Sequence, residues 1–291
     1  MSGLQEIRLK INSVRNIQKI AKAMEMISVA KIHKAQKRML ISKPYAETVL
    51  KVINHIASGN LEYKHPYFKH RNVHKSVGYW VISSDRGLAG GLNANLFRAL
   101  LHDFNKWNTM GIVIQLAVIG AKAASFLHGI KCTKVVSCIS GIGDTPKMSE
   151  LIGSVKVMLE LYEKNNIDRL YIVYNAFVNT LTQIPKIIQI LPIVSKHNIN
   201  HISAKYWDYL YEPDSKVLLN NLLQRYIESQ VYQSVVENVA SEHSARMMAM
   251  KTASDNGEII VNDLKVLYNK VRQTKITEEL TEIISGASVI Q

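Results

Sequence analysis

Two long stretches without proline, one at each end of the chain, limit its architecture more than any other feature. Residues 1–43 contain no proline and a single glycine, Gly3, and residues 214–285 contain no proline at all. Proline breaks helices and glycine loosens them, so both segments read as helices of unusual length. At ~1.5 Å of rise per residue, the first is roughly 60 Å long before Pro44 and the second is on the order of 105 Å.

The apolar spacing says what these helices need. Leu4, Ile7, Ile11 and Val14 follow a 3-4-3 pattern that repeats every seven residues. Continuing that register puts Gln18, Ala21, Glu25, Ser28, Ile32, Ala35 and Met39 on the seam, while the apolar stripe slides to Ile17, Ile20, Met24 and Ile27. Such drift predicts a helix that meets one partner at its start and then turns other faces to other surfaces. Pro44 predicts an interruption, with residues 45–56 resuming after a kink. In the second segment Leu223, Ile227, Val231, Val235 and Val239 form an i, i+4 ladder, and Ile260, Leu264, Leu267 and Val271 form a heptad-like seam. Gly257 is its weak point, costing about 1 kcal/mol against alanine. Each apolar face is too narrow to stand alone, so the two ends are expected to pair as an antiparallel coiled coil.

Between them the period changes. Strands are predicted at 77–83, 112–119, 134–139, 169–178 and 183–193, and helices at 93–106, 121–128 and 148–165. This alternation predicts an open, largely parallel, Rossmann-like sheet with helices against it. The organisation expected is an N-terminal coiled-coil helix (1–57), a linker (58–76), a central α/β domain (77–193), a second linker or foot loop (194–213) and a C-terminal coiled-coil helix (214–291). The fold class is thus α/β plus a long antiparallel coiled coil, the terminal helices forming a shaft.

Charge narrows the partners. The chain carries 36 Lys and Arg against 23 Asp and Glu, a net +13. Ten of the basic residues lie within 1–43, with only Glu6 and Glu25 opposing them, so an acidic partner is expected to face the N-terminal helix. The longest apolar stretch, 111–121, is far short of the ~20 residues of a membrane-spanning helix. Cys132 and Cys138 are the only cysteines, and they suggest neither a disulfide framework nor a zinc site.

No catalytic, cofactor or metal site is expected. The segment Ser83-Ser84-Asp85-Arg86-Gly87-Leu88-Ala89-Gly90-Gly91-Leu92-Asn93 sits where phosphate loops sit, but it lacks the lysine and hydroxyl of such loops and the dinucleotide spacing. It reads as a tight turn in which Asp85 or Asn93 caps. Gly141-Ile142-Gly143-Asp144 reads as a plain loop. His65, His70 and His74 have no carboxylate or thiolate beside them, and His197 and His201 read as loop. Glu278, Glu279 and Glu282 sit at the expected end of a helix, where they oppose its dipole, so a basic partner suits them. Three functions fit these residues: a mechanical coupler, a basic coiled-coil nucleic-acid-binding protein, and an enzyme using the α/β domain.

A resemblance separates them. Residues 276–287 (ITEELTEIISGA) resemble the closing signature of the gamma chains of F-type ATP synthases. Ile7-Arg8, Ser13-Val14 and Lys22-Ala23-Met24-Glu25-Met26 resemble their opening helix. Ser84-Asp85-Arg86-Gly87-Leu88 with Gly90-Gly91-Leu92-Asn93 resembles their central motif, and Glu242-His243-Ser244-Ala245-Arg246-Met247 their late helix. The stretches 60–63 and 207–213 are most similar to proteobacterial forms. Ala89 stands where many relatives have cysteine, and the cysteine insertion of chloroplast forms is not seen.

The resemblance implies a non-catalytic rotor, one per complex. Its helix pair enters a ring of three alpha and three beta chains, and its α/β foot binds the epsilon chain and the membrane c ring. It implies beta contacts for Met24, Arg272 and Gln273, and foot contacts for Trp207, Tyr209, Tyr211 and Glu212. It also implies a peripheral location on the cytoplasmic side of a bacterial inner membrane, with no nucleic acid and no cofactor.

Overall fold

The computed structural model describes residues 2–58, 65–69, 71, 75–130, 133–193 and 215–290. They divide into two compact units, Ala30–Ala245 on one hand and Met1–Val29 with Arg246–Gln291 on the other. Two long helices, α1 (Ser2–Ser58) and α5 (Ser215–Ile290), contribute to both.

The larger unit is organised by a five-stranded sheet of order β3-β2-β1-β4-β5. Its strands are β1 (Ser76–Ile82), β2 (Val113–Ile119), β3 (Thr133–Ile139), β4 (Arg169–Phe177) and β5 (Gln183–Leu191). β1 runs parallel to β2 and β4, and β2 parallel to β3, as the alternating pattern predicts. β5 returns antiparallel to β4, because residues 178–182 are too few for a crossover. Asn179 shapes that turn by accepting the Leu181 and Thr182 N–H groups at 2.9 and 2.6 Å.

Every residue of β1 is buried, which explains its unbroken apolar run. Val77, Tyr79 and Val81 face Leu96, Leu100 and Phe104 of α2 (Leu92–Thr109) and Ala123 and Leu127 of α3 (Ala121–Leu127). Trp80 and Ile82 face the opposite layer, built from Leu151, Val155 and Met158 of α4 (Met148–Glu163) with Ile53 of α1 and the ladder Leu223, Ile227, Val231 and Val235 of α5. Gly78 lies under that layer, where a Cβ would come within 2.7 Å of Leu170 and 2.9 Å of Met158.

Asp168 closes the N-terminal edge of the sheet. Its carboxylate accepts the backbone N–H groups of Lys75 and Ser76 at 2.7 and 3.3 Å and the Arg71 guanidinium at 3.1 Å. Burial pushes its pKa up, but those hydrogen bonds and the Arg71 charge outweigh burial and hold it below the ordinary carboxylate value. Arg71 also donates to Ile167 O and Tyr162 O and lies 4.5 Å from the centre of the Tyr162 ring.

Two helix expectations need correction. Pro44 does not interrupt α1, which runs unbroken to Ser58. Beyond the proline, Val49 and Ile53 are buried in the core, and Thr48 Oγ1 donates to the Pro44 carbonyl at 2.8 Å. Burial of that last segment offsets the ~3 kcal/mol a proline costs inside a helix. α5 likewise continues to Ile290. Glu278, Glu279 and Glu282 therefore stand short of its last turn, and the dipole argument for a basic partner no longer applies.

In the smaller unit α1 and α5 pack antiparallel. Gln18 Nε2 donates to Ser254 O at 3.4 Å, while Gly3 and Leu4 border the same groove as Leu267 and Val271. On α1 the strict heptad register is the inward one: Ile11, Ala21 and Ser28 are buried, and Leu4, Ile7, Val14, Gln18 and Glu25 are partly buried. The drifting residues Ile17, Ile20 and Ile27 are 59%, 60% and 54% exposed. On α5 the inward face is Met250, Ser254, Gly257, Val261, Leu264, Tyr268 and Val271. The expected seam was therefore one residue out at two places. Ile260 and Leu267 are exposed, while Val261 and Tyr268 take the inward positions. α5 runs through Gly257 without a break, and Gly257 is buried at the seam, where an added Cβ would lie in van der Waals contact with Gln18, 3.4 Å from its Cβ.

Candidate functional site

The residues that link helix to sheet in the larger unit gather at the C-terminal ends of the strands. After β1 the chain makes a turn with Leu88 at φ 63° and Gly90 at φ 57°. Ser84 Oγ donates to Arg86 O at 2.8 Å, and Asn93 Nδ2 donates to Ser84 Oγ at 2.7 Å. Asp85 reaches out of this turn in two directions. One oxygen accepts Ala121 N–H at the start of α3 (3.0 Å), and the other accepts Gly141 N–H after β3 (3.1 Å). The phosphate-loop position is thus a structural corner. Asp85 caps, but it caps α3, whereas Asn93 tethers the turn.

Asp85 thereby steadies the loop that bears Asp144. Gly141 and Gly143 have φ of 79° and 70°, values that suit glycine. The loop turns so that Asp144 meets both long helices. Its carboxylate pairs with Lys31 Nζ of α1 at 2.6 Å and with His243 Nε2 of α5 at 3.2 Å. Its backbone carbonyl accepts Arg38 Nη1 of α1 at 2.9 Å. Burial raises the Asp144 pKa, but the Lys31 hydrogen bond and the charges of His243, Lys31 and Arg86 outweigh it and hold the group below its ordinary value.

α5 grips the other side of the sheet. Asn238 Oδ1 accepts both the backbone and side-chain N–H of Asn175 in β4, at 3.2 and 3.1 Å. Ser241 Oγ donates to Asn175 O at 2.9 Å, and Ser244 Oγ donates to Thr180 O at 2.7 Å. Glu237 accepts Phe177 N–H at 3.1 Å. Open parallel sheets bind ligands beyond their strand C-termini, where the strand order reverses. Here the reversal lies between β1 and β4, and α5 takes up the β4 side of it.

The sequence-predicted site residues lie elsewhere. Met24 is partly buried in the smaller unit, its carbonyl accepting Ser28 Oγ at 2.8 Å. Beside it Lys22 pairs with Glu25 at 3.2 Å. Arg272 and Gln273 are exposed neighbours on α5. Trp207, Tyr209, Tyr211 and Glu212 lie outside the described residues, as do His70, His74, His197 and His201. His65 is buried, and its Nδ1 accepts Tyr67 N–H at 3.1 Å. Among the described residues no three His, Cys, Asp or Glu side chains stand close enough to hold a metal.

Sequence reasoning missed Asp144 and the polar face of α5. A signal for the latter was present. Asn238, Ser241 and Ser244 recur at three-residue intervals from the end of the apolar ladder onward, where a helix that only packed would carry more apolar residues.

The profile of the ATP synthase family matches residues 3–290. The ATP synthase gamma chain of Blochmanniella pennsylvanica is 74% identical over the full length of both chains. The chain belongs to the ATP synthase gamma-chain family. Its fold matches a chain of the Euglena gracilis mitochondrial ATP synthase rotor, with a TM-score of 0.64, 19% identity and coverage of 94% of this chain and 98% of that one. A second Euglena gracilis structure, of the OSCP/F1/c-ring assembly, gives 0.68 at 21% identity, covering 99% and 94%. Two motifs that carry the resemblance now have physical roles. The central motif is the corner holding the Asp144 loop, and the late-helix motif supplies His243 and Ser244.

Proposed function

We propose that this chain is the central rotor stalk of a proton-translocating F-type ATP synthase, coupling rotation of the membrane c ring to conformational change at catalytic beta chains. It carries no catalysis itself. The family membership supports this, and so do the rotor and c-ring assemblies named for its fold neighbours. The observation that carries it is the outward surface of the smaller unit. Leu9, Ile20 and Ile27 share a face of α1 turned away from the seam, and Ile259 and Val266 do the same on α5. Apolar side chains facing away from a coiled-coil seam call for a surrounding partner. A ring of three alpha and three beta chains supplies one, and acidic beta surfaces suit the basic excess that also fitted a nucleic-acid partner.

On this reading Met24, Arg272 and Gln273 touch beta chains, while Trp207, Tyr209, Tyr211 and Glu212 meet the epsilon chain and the c ring. No helix among the described residues is long and apolar enough to cross a membrane. On the rotor reading the chain sits on the cytoplasmic side of the bacterial inner membrane, held there through its partners. Co-expression with alpha and beta chains should yield a stable complex with ATPase activity, and failure to co-purify overturns the proposal. Within that complex, Arg272→Ala should lower ATP turnover or proton pumping several-fold with assembly retained; wild-type values for both would remove Arg272 from the beta contact.

A further inference from the structure

We infer that Asp144 is a positioning residue for torque transfer, a single side chain that keys the sheet of the larger unit to both long helices and keeps them from slipping under load. The inference rests on the rotor reading above.

The geometry is specific to this residue. Asp144 stands between the helices, with Lys31 of α1 at 2.6 Å and His243 of α5 at 3.2 Å on its carboxylate. Arg38, two turns along α1 from Lys31, holds the carbonyl of the same residue at 2.9 Å. One loop residue is thus gripped at two levels of α1 and at one of α5. The loop itself is fixed to the end of β1 through Asp85 and Gly141 N–H at 3.1 Å.

The apolar contact between the two helices at this level is smooth. Ala35 of α1 packs on Val239 and Ala240 of α5. Apolar contact is non-directional, so it opposes separation but yields readily to sliding and rotation. Hydrogen bonds, the charge-assisted ones included, weaken steeply with distance and angle, so they resist shear. α5 has its own directional ties to β4 through Asn238 and Ser241. For α1 the directional resistance described at this level comes from Lys31 and Arg38, and both act on Asp144.

A slip at this joint has a signature that general instability lacks. Without an opposing proton gradient little torque crosses the joint, and with one the full torque does. The test uses the assembled complex in sealed membrane vesicles, comparing wild type with Asp144→Asn, Lys31→Met and the double variant. Protons moved per ATP hydrolysed are read at the onset of pumping and again against an established gradient. All three variants should match wild type at onset, to within about twofold, and fall at least twofold below it under load. The double variant should be no worse than Asp144→Asn, because both changes break one device.

A ratio unchanged under load, or losses that simply multiply in the double variant, overturns the inference. Equal losses at onset and under load also overturn it, since they indicate a merely structural role. If Asp144→Asn fails to assemble, Lys31→Met decides alone, because the Lys31 side chain is about one-third exposed and its replacement should fold. Failure of the rotor reading looks different: wild-type complex would then not form or not pump.

Discussion

The two units use opposite means of holding together. In the larger one, aromatic and branched side chains fill both faces of a sheet, and Trp80, Tyr79, Leu96, Leu100, Ile114 and Leu116 are wholly inaccessible. In the smaller one the buried apolar side chains among the described residues are Ile11, Ala21, Met250 and Val261. The rest of its seam includes Gln18, Ser28, Ser254 and Gly257, which bury little apolar surface. At about 1.5–3 kcal/mol per large apolar side chain buried, the first unit has its own core and the second has little more than a seam. The contrast teaches that the helix pair is not built to be stable by itself. Narrow, partly polar seams and apolar outer faces suit helices that complete their burial against other chains.

Breaking the larger core should have the greatest effect. Trp80→Ala leaves a cavity under β1 and is expected to cost about 3–5 kcal/mol in urea denaturation of the isolated chain. A loss below about 1 kcal/mol would mean that the sheet is not the main source of stability.

Asp168 tests the polar edge of the same unit. Asp168→Asn weakens the pair with Arg71 and is expected to cost about 1–3 kcal/mol at pH 7. The folded-state pKa of Asp168 is depressed. Its contribution is therefore fully present above the unfolded value of ~3.9 and is lost as pH falls through the lower folded value. The stability gap between wild type and variant should be constant near neutrality and close in acid. A gap that widens with acid would contradict the assigned sign.

The smallest effects sharpen the seam. Val261→Ala removes a buried group, 5% exposed, and should cost about 1–2 kcal/mol. Ile260→Ala changes its exposed neighbour and should shift stability by less than about 0.5 kcal/mol. The reverse order would restore the register first expected from sequence.

Much of this was legible beforehand where a single physical demand acts on a segment. The unbroken apolar run of β1 signals burial on both faces, and the Leu223–Val239 ladder signals one buried helix face. The heptad register begun at Leu4 holds even where polar and small residues occupy it. The seam of α5 was not legible because apolar residues lie on both sides of it, so Ile260 and Leu267 compete with Val261 and Tyr268. Pro44 misled because local propensity says nothing about the core that waits beyond it. The Asp144 site was hidden for a simpler reason. Arg38 and Asp144 are 106 residues apart, and spacing arguments do not reach that far.

The amide pair of Asn175 and Asn238 carries a consequence for how such a chain can change over time. One Asn238 oxygen takes two N–H groups of Asn175, and only one of these belongs to a side chain. A change at Asn238 strands the Asn175 backbone donor, which no change at Asn175 short of proline can remove. A change at Asn175 leaves Asn238 still useful. Inheritance at this joint should therefore be asymmetric, with the strand position free to drift first and the helix position following only when the strand has already given way.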